Sequence, residues 1–292
     1  MKSLNEEIKQ VKESKCSNSK KVMCLIKLGL QEIEASEFVQ NWAAESRATK
    51  ARKKYTFGVE IECMNAERSR IERQLVSNKV EYNFERYNHT DNKYYYKFVS
   101  DASIRGQNPI ECVSPILSGK NGKQSLKACC EALNKAGARV NKSCGLHVHI
   151  GASDMKNEQY ISVFVNYKHL ESVIDKFMAL SRRGNNSQWC RTIQNIDFES
   201  CATIADVRYA FSCDRYYKVN AMSYERHKTI EFRQHQGTTD YEKISRWVDF
   251  CGKLVLFSKS NRLAADIESI DEIPFLDDEE KEFFKQRAAI LA

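Results

Sequence analysis

Thr229-Ile-Glu-Phe-Arg-Gln-His-Gln-Gly237 is the stretch on which the reading of this chain turns. Ile230 and Phe232 alternate with Glu231, Arg233 and His235. In a β-strand, residues two apart share a face. The stretch therefore reads as a strand with one apolar face and one face carrying a carboxylate, a guanidinium and an imidazole. Two other stretches repeat the device. In Phe57-Gly-Val-Glu-Ile-Glu62, Glu60 and Glu62 oppose Val59 and Ile61. In Gly145-Leu-His-Val-His-Ile-Gly151, His147 and His149 oppose Leu146, Val148 and Ile150. Three such strands predict a sheet with one working face.

Around these strands the composition is that of an ordinary globular chain. Of the 292 residues 42% are hydrophobic and 29% charged, which suits one large domain with an appendage. No apolar run approaches the roughly 20 residues that cross a bilayer. The first residues lack the apolar core of a secretory signal. The 11 cysteines include no C-x-x-C pair, and several fall at apolar positions. They read as reduced, buried thiols of a cytoplasmic protein rather than a disulfide framework or a zinc cluster.

The net charge of +7 is uneven: residues 1–54 hold 12 Lys+Arg against 7 Asp+Glu. This basic N-terminal segment reads as two short helices around Gly29, resembling the front half of a helix-turn-helix without its third, recognition-type helix. A contact with nucleic acid or another protein and a plain helical appendage are both readings of it. The basic connector 47–54 sets the expected boundary, with residues 55–292 as the main domain.

Within that domain strands are expected at 55–63, 80–87, 94–100, 110–114, 145–151 and 229–237. The segments 80–87 and 94–100 flank a polar turn. Helices are expected at 67–77, 123–136, 157–180, 241–259 and 277–291. Strands joined by short turns favour an α+β fold with a mainly antiparallel sheet over a doubly wound parallel one. Segments 80–98 and 182–214 hold many basic and aromatic groups, including Tyr94, Arg182, Arg183 and Trp189, that the pattern does not resolve.

An isolated Glu-x-Glu or His-x-His is ordinary in a strand; their combination is not. Glu60, Glu62, Glu111 and Glu231 offer oxygen ligands that suit Mg²⁺ or Mn²⁺, and the two histidines add nitrogen. Arg233, two residues from Glu231, puts a bidentate anion clamp beside a metal ligand, as phosphate chemistry requires.

Phe57-Gly-Val-Glu-Ile-Glu, Ile110-Glu-Cys-Val-Ser-Pro, Ser143-Cys-Gly-Leu-His-Val-His-Ile-Gly and Thr229-Ile-Glu-Phe-Arg stand in the order seen in the amidoligase family. That family belongs to the carboxylate–amine ligases related to glutamine synthetase and glutamate–cysteine ligase. The resemblance spans roughly Tyr55 to Lys259. It implies a glutamine-synthetase-like catalytic domain, a curved sheet whose concave face binds ATP and two or more divalent ions, with helices on the convex face.

By the resemblance, Glu60, His147 and Glu231 share a phosphate-side ion, and Glu62 and Glu111 a substrate-side ion. His149 and Arg233 contact the phosphates of ATP or of an acyl phosphate and carry catalysis. Asp101 and Ser103 resemble the family's Asp-Gly-Ser turn, with Ala102 in place of glycine. Arg215 and Asn220 lie in a segment resembling one near the family's nucleotide site. The implied activity is ATP-dependent amide or peptide bond formation between a carboxylate and an amine substrate, each an amino acid, a peptide or peptide-like. Two alternatives stand beside it: a metal-dependent hydrolase using the same acids and histidines, and a nucleic-acid-binding protein with a vestigial ligase fold.

Overall fold

The computed structural model describes residues 3–40, 55–86, 88 and 94–292. The chain divides into two units, Met1–Lys54 and Tyr55–Ala292. In the first, helix α1 (Leu4–Glu13) starts on a capping box in which Ser3 and Glu6 satisfy each other's backbone N–H groups. Helix α2 (Asn18–Lys27) starts at the Ser17 cap, and α3 covers 32–40. Their core is small: Leu25, Ala35 and Val39. The basic run 47–54 lies outside the described residues.

The second unit is built on one open, curved, mostly antiparallel sheet. Its strands are β1 (Thr56–Cys63), β2 (Tyr82–Phe84), β3 (Tyr96–Val99), β4 (Ile110–Val113), β5 (Leu117–Ser118), β6 (Leu146–Gly151), β7 (Val219–Asn220) and β8 (Thr229–Phe232). The order is β2-β3-β4-β1-β6-β8-β7, with β5 also on β1. The three patterned strands β1, β6 and β8 thus lie side by side at its centre.

One face is the core. Phe57, Val59 and Ile61 of β1, Leu146, Val148 and Ile150 of β6, and Ile230 and Phe232 of β8 are all at most 2% exposed. Helix α9 (Tyr241–Ser258) packs on β1 and β6, flanked by α5 (Gly119–Ala136) and by α6 (Asn157–Lys176). Trp247 of α9 stacks on Phe250 and meets Phe232 edge-on. Helices α4 (Arg68–Ser77), α7 (Ile204–Ala210), α8 (Ser223–His227) and α10 (Asp278–Leu291) complete the unit. No described helix is long and apolar enough to cross a membrane, and all eleven cysteines are free thiols.

The structure departs from the sequence pattern in three places. Strands β2 and β3 pair in parallel, not as neighbours across a tight turn. A parallel pair needs a connection that returns the chain to the same end, and part of that connection lies outside the described residues. Strand β8 ends at Phe232, so the alternation does not reach His235. Short elements that no periodicity marks, β5 and α8, were not expected.

Candidate active site

The register of the central strands sets the polar face. Residues directly opposite across an antiparallel pair share a face. Glu60 stands opposite His147, and Glu62 opposite Glu111. His149 stands opposite Glu231, which in turn faces Asn220. Five strands thus deliver four carboxylates, two imidazoles and an amide to one patch. The core side of the same strands fixes it: a one-residue slip would bury the charges and expose Val59, Val148 and Phe232.

His147 is the hub. Its Nδ1 lies 2.9 Å from Glu60 Oε2 and 3.7 Å from Glu231 Oε1, and its Nε2 lies 3.8 Å from Glu62 Oε1. Two groups of potential cation ligands result, Glu60–His147–Glu231 and Glu62–Glu111–His147. In each, one donor atom per residue lies within 4.8 Å of the others. His149 turns Nδ1 to Thr229 Oγ1 at 2.9 Å. Its Nε2 is 3.3 Å from Glu60 Oε1 yet buried without a well-aligned hydrogen bond. Asn220 donates to Glu231 Oε2 at 2.6 Å, and Arg233 donates to Glu231 Oε1. The Gly145 N–H donates to Glu62 Oε2 at 2.5 Å.

The electrostatics follow from crowding. Burial, together with the charges of Glu60 and Glu62, pushes the Glu111 carboxyl up to about 9. Burial opposes ionisation of Glu60 too, but the hydrogen bond from His147 and the nearby imidazole of His149 hold it well below the usual carboxylate range. Glu231 is likewise lowered, against its burial, by Arg233 and His149. Burial disfavours a charge on His149, and the carboxylates of Glu231 and Glu60 overcome that and raise it.

This is a carboxylate cluster whose mutual repulsion a hard divalent cation would relieve. The buried, poorly satisfied His149 Nε2 and the two three-ligand groups fit such ions. The donors, oxygen with one or two imidazoles, suit Mg²⁺ or Mn²⁺.

The patch floors a cleft of about 1450 Å³. All eleven residues singled out in the sequence line it: Glu60, Glu62, Asp101, Ser103, Glu111, His147, His149, Arg215, Asn220, Glu231 and Arg233. They are not equal in placement. Asp101 accepts the Ser103 N–H at 2.7 Å in the loop after β3, on the rim. Arg215 is exposed on the wall and lies over the ring of Tyr216, which itself meets Trp189 edge-on.

His235 does not join them. It is 3% exposed, 5.9 Å from the Trp247 ring, and its Nδ1 lies 2.7 Å from the Gln236 carbonyl. It is a core histidine, neither a wall of the cleft nor a surface group. Burial lowers it to about 3, so it stays neutral.

Sequence reasoning missed Lys97 and left Arg182 unresolved, both buried and both lining the cleft. Lys97 carried a signal, a lone charge within the apolar strand Tyr96-Lys-Phe-Val99. Arg182 carried none, since it ends a single 3-10 turn, Leu180–Arg182, too short to show a period.

A family described as "Putative amidoligase enzyme" matches residues 53–255. The chain belongs to this family. The family match takes in every strand of the sheet and every residue of the carboxylate–histidine patch. Among solved structures, the chain is similar to a bifunctional glutathione synthetase from Pasteurella multocida at 11% identity and a TM-score of 0.46. That likeness covers 85% of this chain but 42% of the other, so this chain spans less than half of its length. A second likeness, to a novel glutamine synthase homolog, has 12% identity and a TM-score of 0.39, covering 85% of this chain and 66% of that one. Neither likeness is of the degree at which an activity transfers. No curated protein sequence matches the chain.

Proposed function

We propose that this amidoligase joins a carboxylate to an amine at the expense of ATP, through an acyl phosphate. The observation that supports this most is the pair of three-ligand groups meeting at His147, with Arg233 bonded to one of their members. Glu60, His147 and Glu231 would hold one divalent ion, and Glu62 and Glu111, with His147 at their edge, a second. Bound there, the ions would neutralise the charge that gathers on phosphoryl oxygens during transfer.

In the first step an oxygen of the substrate carboxylate attacks the γ-phosphorus of ATP, and the bond to the ADP oxygen breaks. In the second, the amine nitrogen attacks the acyl carbon and inorganic phosphate leaves. The nitrogen gives up a proton, to the departing phosphate or to water, to reach the neutral amide. Arg233 and His149, aimed into the cleft beside Glu231 and Glu60, bind the transferred phosphoryl group and orient it for in-line attack. Asn220 fixes the Glu231 carboxylate while its own Oδ1 accepts the Met222 N–H at 2.7 Å, which sets its rotamer. Arg215 and the Asp101–Ser103 turn, on the wall and rim, take outlying parts of the nucleotide. The substrates are an amino acid, a peptide or a peptide-like molecule.

The test is amine-dependent ADP release by wild-type protein and by Glu60→Ala, Glu231→Ala and Arg233→Ala, with ATP, Mg²⁺ and a mixture of amino acids and peptides. A loss of two or more orders of magnitude in each variant is expected. Undiminished release in all three would refute the assignment. A metal-dependent hydrolase would instead turn over without nucleotide.

A further inference from the structure

Gly145 is buried beside His147 and Glu62, which line the cleft. A Cβ placed on Gly145 would lie 3.0 Å from His147 Nε2, 3.5 Å from Glu62 Oε2 and 3.6 Å from Arg182 Nη1. An imidazole, a carboxylate and a guanidinium therefore close around residue 145, and its being glycine leaves each of them its place.

Arg182 is unusual among them. It is 7% exposed and lines the cleft. Its Nη2 donates to the Cys144 carbonyl at 2.7 Å, and no carboxylate among the described residues pairs with it. Arg233, by contrast, is paired with Glu231. A buried guanidinium without a counter-charge is costly. This one is held in place nonetheless. Its residue begins at a turn closed by its own N–H on the Ala179 carbonyl, and its carbonyl accepts from Gln234 Nε2 at 3.2 Å. Gln234 in turn is fixed by Tyr167 and Asp175, beside the buried Lys218–Glu171–Asp175 cluster. On the adjacent loops Arg105 and Lys142, both exposed, line the same cleft.

We propose that Arg182 is the anion-binding residue for the carboxylate substrate, holding its reacting oxyanion, as carboxylate or as phosphate, where its guanidinium lines the cleft. The guanidinium fork matches either group, and the anion supplies the counter-charge the fold withholds. This rests on the ligase reading of the same cleft and adds the residue that receives the acceptor carboxylate, on the Glu62 side, opposite the Arg233 clamp.

The experiment uses the full chain and Mn²⁺, followed by water-proton relaxation. Inorganic phosphate and succinate are then titrated separately onto the Mn²⁺-loaded protein. Arg182→Met is expected to weaken one or both anions at least tenfold while Mn²⁺ affinity stays within about twofold, and Arg182→Lys to restore part of the loss. Whichever anion is lost names the source of the oxyanion. Urea unfolding of Arg182→Met accompanies the titrations, with Arg182→Gln as a second uncharged variant in case the first does not fold. Uncharged variants that bind both anions like wild type overturn the proposal, all the more if they unfold earlier, since Arg182 would then merely anchor the Cys144 carbonyl. Wild-type protein that takes Mn²⁺ but neither anion overturns it as well, and leaves the ligase reading standing. Failure of the wild type to bind Mn²⁺ overturns both.

Discussion

Glu111 sits where three strands have brought four carboxylates together, and its carboxyl keeps a proton up to about pH 9. Loading a divalent cation must displace that proton. Binding of Mn²⁺ or Mg²⁺ at pH 7 is thus expected to release about one proton. Calorimetry in buffers of different ionisation enthalpy measures it, and Glu111→Gln should abolish the release while weakening the metal. His235 makes the opposite kind of prediction. Its folded value, about 3, lies below the ordinary 6.5. Its contribution to stability is therefore complete above about pH 6.5 and is lost as pH falls towards 3, because only the unfolded chain takes up the proton. Replacing it with Phe should flatten the pH dependence of the unfolding midpoint in that window. At this scale the metal-type residues were legible, because two-residue spacing reports which side chains share a face. His235 was not, because the strand stops three residues before it and nothing in the alternation marks the stop.

At the scale of elements, β1, β6 and β8 act as a unit because each carries a core face and a working face. Truncating Phe232 to Ala removes a ring in contact with Tyr167 and Trp247 and should cost about 3–5 kcal/mol by chemical denaturation. Two glycines tie β6 to its surroundings. At Gly237 a Cβ would fall 2.5 Å from Cys144 Cβ and 2.9 Å from its carbonyl oxygen. Gly237→Ala must therefore move backbone. At Gly145 the nearest atom is His147 Nε2, the end of a side chain. Gly145→Ala is expected to leave the unfolding midpoint nearly unchanged and to lower Mn²⁺ affinity about tenfold by displacing that imidazole. The central strands were readable since their periods are strict. The parallel pairing of β2 with β3 was not, as a four-residue strand does not encode the direction of its neighbour.

At the scale of the molecule, the large core is drawn wholly from Phe57 onward, and residues 3–40 have a three-residue core of their own. Protein truncated to 55–292 is expected to keep its main unfolding transition within about 3 °C and to keep ADP release. The order of the four motifs made the family legible, because together they assemble one patch. The substrates stay hidden in the sequence for a physical reason. Segments 80–98 and 182–214, where selection is expected, supply much of the cleft wall, Trp189 among it, and such irregular stretches follow no period. The central claim, an acyl phosphate formed from the substrate carboxylate, is tested by isotope transfer. Wild-type protein is incubated with ATP, Mg²⁺ and a mixture of amino acids and peptides whose carboxylates carry ¹⁸O, and the released phosphate is weighed by mass spectrometry. One ¹⁸O per phosphate, matched by ADP and by an amide product, is the predicted result. Phosphate released without the label, or an amide formed without ADP, would contradict it.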